Sequence, residues 1–121
     1  MLYAHARLES IISKAKADHN VDIDALIASD EIIRIHHPSE QNLAFHLLQF
    51  ADCIEMTLED MLPYHICDFL YNASIAVSDF VTQCKVLGSP EMKSRLLLCR
   101  GTAIVMRQCF DLLGISYVNR I

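Results

Sequence analysis

Glycine and proline are scarce, with three of each in 121 residues. A β-sandwich or barrel needs a turn after nearly every strand, so so few turn formers argue for long helices instead. No stretch reaches the roughly 18 consecutive apolar residues that a membrane span requires. The opening MLYAHARLES is broken by polar and charged side chains, which makes a poor secretory signal. A soluble, cytoplasmic protein without a membrane partner is expected. The five cysteines (Cys53, Cys67, Cys84, Cys99, Cys109) are odd in number and never closer than ten residues, which excludes CxxC knuckles and does not suggest a disulfide framework. Each falls in an apolar helical stretch, so all five read as buried thiols in a reducing compartment. The histidines His5, His19, His36, His37, His46 and His65 form no HxxxH or CxxH pattern, so no metal is expected. There is no GxSxG, no glycine-rich phosphate loop and no pair of acids at a recognisable catalytic spacing. Catalytic residues are therefore expected to be absent.

Hydrophobic residues make up 53% of the chain, ample for one packed core at 13.7 kDa. The expectation is a single domain over residues 1–121, too short for a nucleotide fold plus a substrate domain. Leu8, Ile11, Ile12 and Ala15 recur at three-and-four spacing and predict a first helix from Leu2 to Ala17, with Arg7, Lys14 and Lys16 off its apolar face. Turn formers bracket a short second helix around Ile23, Leu26 and Ile27. His37, Pro38 and Glu40 suit the start of a third helix running to about Phe50. A fourth carries Ile54, Leu58, Met61 and Leu62 on one face, with Glu55, Glu59 and Asp60 on its wet side. Pro63 then opens a long fifth helix to about Cys84. After KVLGSP, the chain's only glycine-plus-proline cluster, a last helix continues to a cap at Gly114. The fold class is all-α, a bundle of about five to six helices.

A net charge of −5 is unusual for a nucleic-acid binder, because Lys and Arg normally supply most of the affinity for phosphates. The distribution matters more than the sum. Residues 21–84 hold eleven acids and one base, Arg34; residues 85–121 hold six bases and two acids. On the last helix Lys93, Arg100 and Arg107 are spaced by seven and form a cationic stripe opposite Leu97, Val105 and Leu112. Two readings stay open: a phosphate-binding stripe, or a solvated face with Arg107 paired to Asp111. Tyr3, at a helix start, reads equally as an accessible ring on which a splayed RNA base could stack or as a helix-end packing residue, whereas Tyr71 lies in an apolar context that suggests core.

Four segments then add a resemblance. RLLLCRGTAIVMRQCFDLLGI (residues 95–115) is similar to the final helix of arginyl-tRNA synthetases, YAHAR (Tyr3 to Arg7) to the opening helix of their anticodon-binding domain, HPSEQNLAFHLLQF to its next landmark, and LPYHICDFLYNASIAVSDF to its long central helix. All four occur in family order. The resemblance implies the all-helical anticodon-binding domain of a class I aminoacyl-tRNA synthetase, whose catalytic domain lies outside this chain. It implies tRNA of the arginine isoacceptors as partner, not DNA, and the parent's own catalytic domain as neighbour. ATP and Mg are implied for the parent enzyme and no cofactor for this domain; HIGH-like and KMSKS-like motifs are missing here. By the same resemblance Tyr3, Phe80 and Ile121 occupy regions that approach the anticodon bases, with Arg7, Lys93, Arg100 and Arg107 as candidate RNA contacts. Two departures are visible: Val81 stands where the family commonly has an aromatic, and Ile121 where it has a methionine. A helical tRNA-binding adaptor, or a protein-interaction domain of a non-synthetase relative, are the alternatives.

Overall fold

Helix boundaries follow the local chemistry of the chain. His37 is the N-cap of the third helix: its Nδ1 accepts from the Ser39 N–H at 3.0 Å, Glu40 accepts from the His37 N–H at 3.2 Å, and Pro38 fills the first turn. The last helix closes on Gly114 at φ +71°, a left-handed cap that a glycine adopts without strain. Between the fourth and fifth helices Met61 takes φ +59°, and Asp60 accepts hydrogen bonds from His65 at 2.7 Å and from the Leu62 N–H at 3.0 Å. Those bonds, the His65 one foremost, hold the Asp60 carboxyl below its ordinary range.

The computed structural model describes residues 2–29, 33–89 and 91–114. Its elements are α1 (Leu2–His19), α2 (Ile23–Ala28), α3 (Pro38–Leu48), α4 (Phe50–Asp60), α5 (Tyr64–Gln83) and α6 (Met92–Leu113). The described residues contain no strand, so the expectation of an all-α bundle of about five to six helices holds. No helix among them is long and apolar enough to cross a membrane. Helices α5 and α6 are the longest and supply most of the core: α3 and α4 pack on α5, while α1 and α2 pack on α6. Leu8, Leu43, Leu70, Phe80, Met106 and Phe110 are among the fully enclosed side chains.

Four expectations about faces are corrected. The buried side of α6 is Cys99, Ala103, Met106 and Phe110, whereas Leu97 and Val105 are half-buried and Leu112 is exposed. On α4, Cys53 is the buried residue, and Leu58, Met61 and Leu62 face out because this outer helix is covered chiefly from the α5 side. Tyr71 is exposed instead of core. Cys67 is exposed as well, on the outer side of α5, so only four of the five thiols are buried.

Burial pushes the Cys99 and Cys109 thiols up to about 12 and also raises Cys53 and Cys84, because the thiolate loses its solvation. A thiol reagent at pH 8 should therefore modify one cysteine rapidly in the folded protein, Cys67, and the other four only after denaturant is added. Rapid modification of two or more, read by peptide mass spectrometry, would contradict this packing.

Candidate nucleic-acid interface

The cationic stripe expected on α6 is largely committed inside the protein. Glu9 of α1 faces α6 and is 8% exposed, so its charge needs a cation close by. Arg107 brings Nη2 to 2.9 Å of Glu9 Oε1, and Arg100 brings Nη1 to 3.9 Å. Oε1 receives no well-aligned hydrogen bond, so attraction between charges holds the group. Arg107 also donates from Nε to Nε2 of the buried His5 at 3.2 Å, and His5 meets the Phe110 ring edge-on. Arg95 is equally occupied: Nη1 donates to the Lys85 carbonyl at 2.7 Å, and Nη2 lies 3.5 Å from the buried Glu40 carboxylate. Lys93 remains exposed, beside Arg34, His36 and Glu91 in a separate groove.

A different face carries unpaired positive charge. Tyr3, Arg7, Ser10 and Lys14 are spaced four, three and four along α1, which places them within roughly 60° of one another around the helix. Tyr3 is 65% exposed at the free end of this face. Farther along, Arg7, Ser10, Ile11 and Lys14 form one wall of a groove of about 570 Å³ whose other wall is Val81, Cys84, Lys85, Val86 and Leu87. Among the described residues, three cations and no carboxylate line it. The second wall follows from the chain's exit from α5. Cys84 turns to extended geometry (φ −115°, ψ 115°), Val86 is buried as an anchor, and Gly88 at φ +76° allows the turn toward α6. The hydrogen bond from Arg95 to the Lys85 carbonyl fixes the backbone there.

The expected site residues therefore separate. Tyr3 and Arg7 share one face; Arg100 and Arg107 share Glu9 on another flank of α1; Lys93 lies in its own groove. Phe80 is corrected: its side chain is 0% exposed, closed on all sides by core, and offers no face to a base. Ile121 lies outside the described residues. Lys14 and Lys85 were missed as site residues. Lys14 repeats the seven-residue spacing from Arg7 that was noticed on α6, but Lys85 joins it only through tertiary packing. Helices α4 and α5 are less suited to phosphates, because Asp52, Glu55, Glu59, Asp60, Asp68 and Asp79 are all exposed on them.

If Glu9 anchors the two arginines, Glu9→Gln keeps its shape but removes the charge they enclose. Urea denaturation should then show a loss on the order of 2 kcal/mol, against less than about 0.5 kcal/mol for Lys14→Gln on the exposed face. Unchanged stability of E9Q would show that α6 holds these arginines by other means.

The whole chain, residues 1–121, matches the family model described as the DALR anticodon binding domain. It is 47% identical over 121 residues to the chloroplastic/mitochondrial arginine–tRNA ligase of Arabidopsis thaliana, covering all of this chain and 18% of that protein. It is 46% identical to the cytoplasmic arginine–tRNA ligase of the same plant, covering all of this chain and 20% of the relative. The chain thus spans about a fifth of the length of these relatives. The structure superposes on the arginyl-tRNA synthetase of Plasmodium falciparum with a TM-score of 0.82 and 28% identity, over 99% of this chain and 20% of that one. With a family model matched from its first residue to its last, this chain belongs to the DALR anticodon binding domain family.

Proposed function

We propose that residues 1–121 act as one unit that recognises the anticodon loop of arginine-accepting tRNA, serving an arginine–tRNA ligase. The observation that carries this reading is the α1 face: an exposed Tyr3 ring on the same helix face as Arg7 and Lys14, which with Lys85 line a groove that holds no acid among the described residues, on a chain that is otherwise acidic. Single-stranded RNA is read by stacking splayed bases on such rings and by hydrogen bonds to their edges, while neighbouring cations neutralise the backbone. Tyr3 is the stacking residue in this proposal and Arg7 its phosphate partner. Lys93 is a peripheral contact. Arg100 and Arg107 act indirectly, by holding α1 in place through Glu9.

Arginine codons share a middle G, so the anticodon's middle C is the base whose edge a specific reader would test. The attachment chemistry, with ATP and Mg, belongs to the catalytic part of the parent ligase. We place the protein in the cytoplasm, a reducing compartment that suits its unpaired, largely buried cysteines. The net charge of −5 limits affinity, and in a longer ligase other surfaces would add their binding to that of this domain.

A titration with the arginine anticodon stem-loop and with one changed at the middle base, at low salt, tests the proposal. The changed loop should bind about tenfold more weakly, as expected when a buried polar edge loses its partner. Tyr3→Ala should weaken binding of the cognate loop by ~1–3 kcal/mol, the range for a base stacked on an aromatic ring. Equal affinity for both loops would contradict anticodon reading by this domain.

A further inference from the structure

We infer that the groove between α1 and the turn at residues 84–88 is a second RNA subsite, one that seats the backbone and one unstacked base of a nucleotide beyond the one met by Tyr3. This rests on the reading of the chain as an anticodon-binding domain and goes further by assigning Lys14, Lys85 and the groove's apolar lining.

Four observations carry it. The first is the division of the cations: Arg95, Arg100 and Arg107 each have a carboxylate within 4 Å, whereas Arg7, Lys14 and Lys85 have none among the described residues, although they line a common groove. Three like charges lining one groove without a carboxylate partner in an acidic chain make a local positive field that favours an anionic ligand. The second is the groove's apolar lining. Ile11, Val81, Val86 and Leu87 share the groove with the cations, so it offers apolar surface that a bare phosphate would leave uncovered and that the flat face of a base would cover.

Distance is the third. Lys14 is eleven residues after Tyr3 on the same helix face, about 16 Å along the axis at 1.5 Å per residue. A stacked strand rises about 3.4 Å per nucleotide, so Tyr3 and Lys14 meet different nucleotides of one loop. The fourth is rigidity. Lys85 stands on a turn that is pinned by Arg95 at its carbonyl and by the buried Val86, so this wall is formed before the ligand arrives.

The test is the salt dependence of stem-loop binding for the 121-residue chain and for the double variant K14Q/K85Q, between 50 and 200 mM KCl. Both lysines are exposed, so the variant should keep its helical circular dichroism. Removing two contacts to a single strand should flatten the slope of log K against log salt by about 1.4, at roughly 0.7 per phosphate. Affinity for the cognate and the middle-base-changed loops should fall by the same factor, leaving their ratio intact. A slope unchanged in K14Q/K85Q overturns the subsite while an intact ratio leaves the anticodon reading standing; a wild-type ratio of one overturns that reading itself. Inorganic phosphate, added at constant ionic strength, is the probe for a bare anion site. Failure of millimolar phosphate to displace the loop supports a nucleotide subsite, and full displacement overturns it.

Discussion

A carboxylate enclosed between two helices sets the position of the α1 face, the surface proposed to meet RNA. Glu9 lies where α1 meets α6, and the guanidinium groups of Arg107 and Arg100 close around it from one direction while Leu8 and Ile12 seat α1 in the apolar core from another. An enclosed charge is tolerated only in a small range of geometries, so the pair specifies rotation of α1 about its axis more sharply than apolar packing could. Two residues earlier along the same helix is Arg7, and six earlier is Tyr3. Turning α1 to bring Glu9 out into water would carry Arg7 and Lys14 away from the groove they now share with Lys85, and would swing Tyr3 with them.

The same logic explains how an acidic chain can carry a locally cationic surface. Binding depends on the local field and not on the sum of charges. The acids of α4 and α5 face solvent, the arginines of α6 are paired with carboxylates, and Arg7, Lys14 and Lys85 have no carboxylate partner among the described residues. The acidic majority then repels a phosphate backbone from the surfaces where contact would be unproductive, which favours approach along α1.

Much of the fold was legible because the relevant signals are local. The His37–Pro38–Glu40 start of α3, the Gly114 cap of α6 and the long α5 after Pro63 each depend on residues within a few positions of one another. Faces were less legible. Leu58, Met61 and Tyr71 look like core by composition, yet an outer helix of a bundle has more apolar residues than neighbours to cover them. The site was legible only in part. Tyr3 and Arg7 sit on one helix and could be read together, but the commitment of Arg100 and Arg107 to Glu9 spans ninety or more positions, and the meeting of Lys14 with Lys85 spans seventy-one. Spacing along a single helix cannot report a partner on another. The Phe80 expectation failed for the same reason: its place near the end of α5 was right, but whether its ring turns inward is decided by packing.

The central claim is that RNA meets this domain along α1 and the turn after α5. Amide chemical-shift mapping by two-dimensional NMR during titration with the arginine anticodon stem-loop tests it most directly. The account predicts that the shifts concentrate at Tyr3 to Lys14 and at Val81 to Gly88, with Asp52 to Ile75 unperturbed. Perturbations centred on α4 and the outer face of α5, with the α1 face silent, would contradict it.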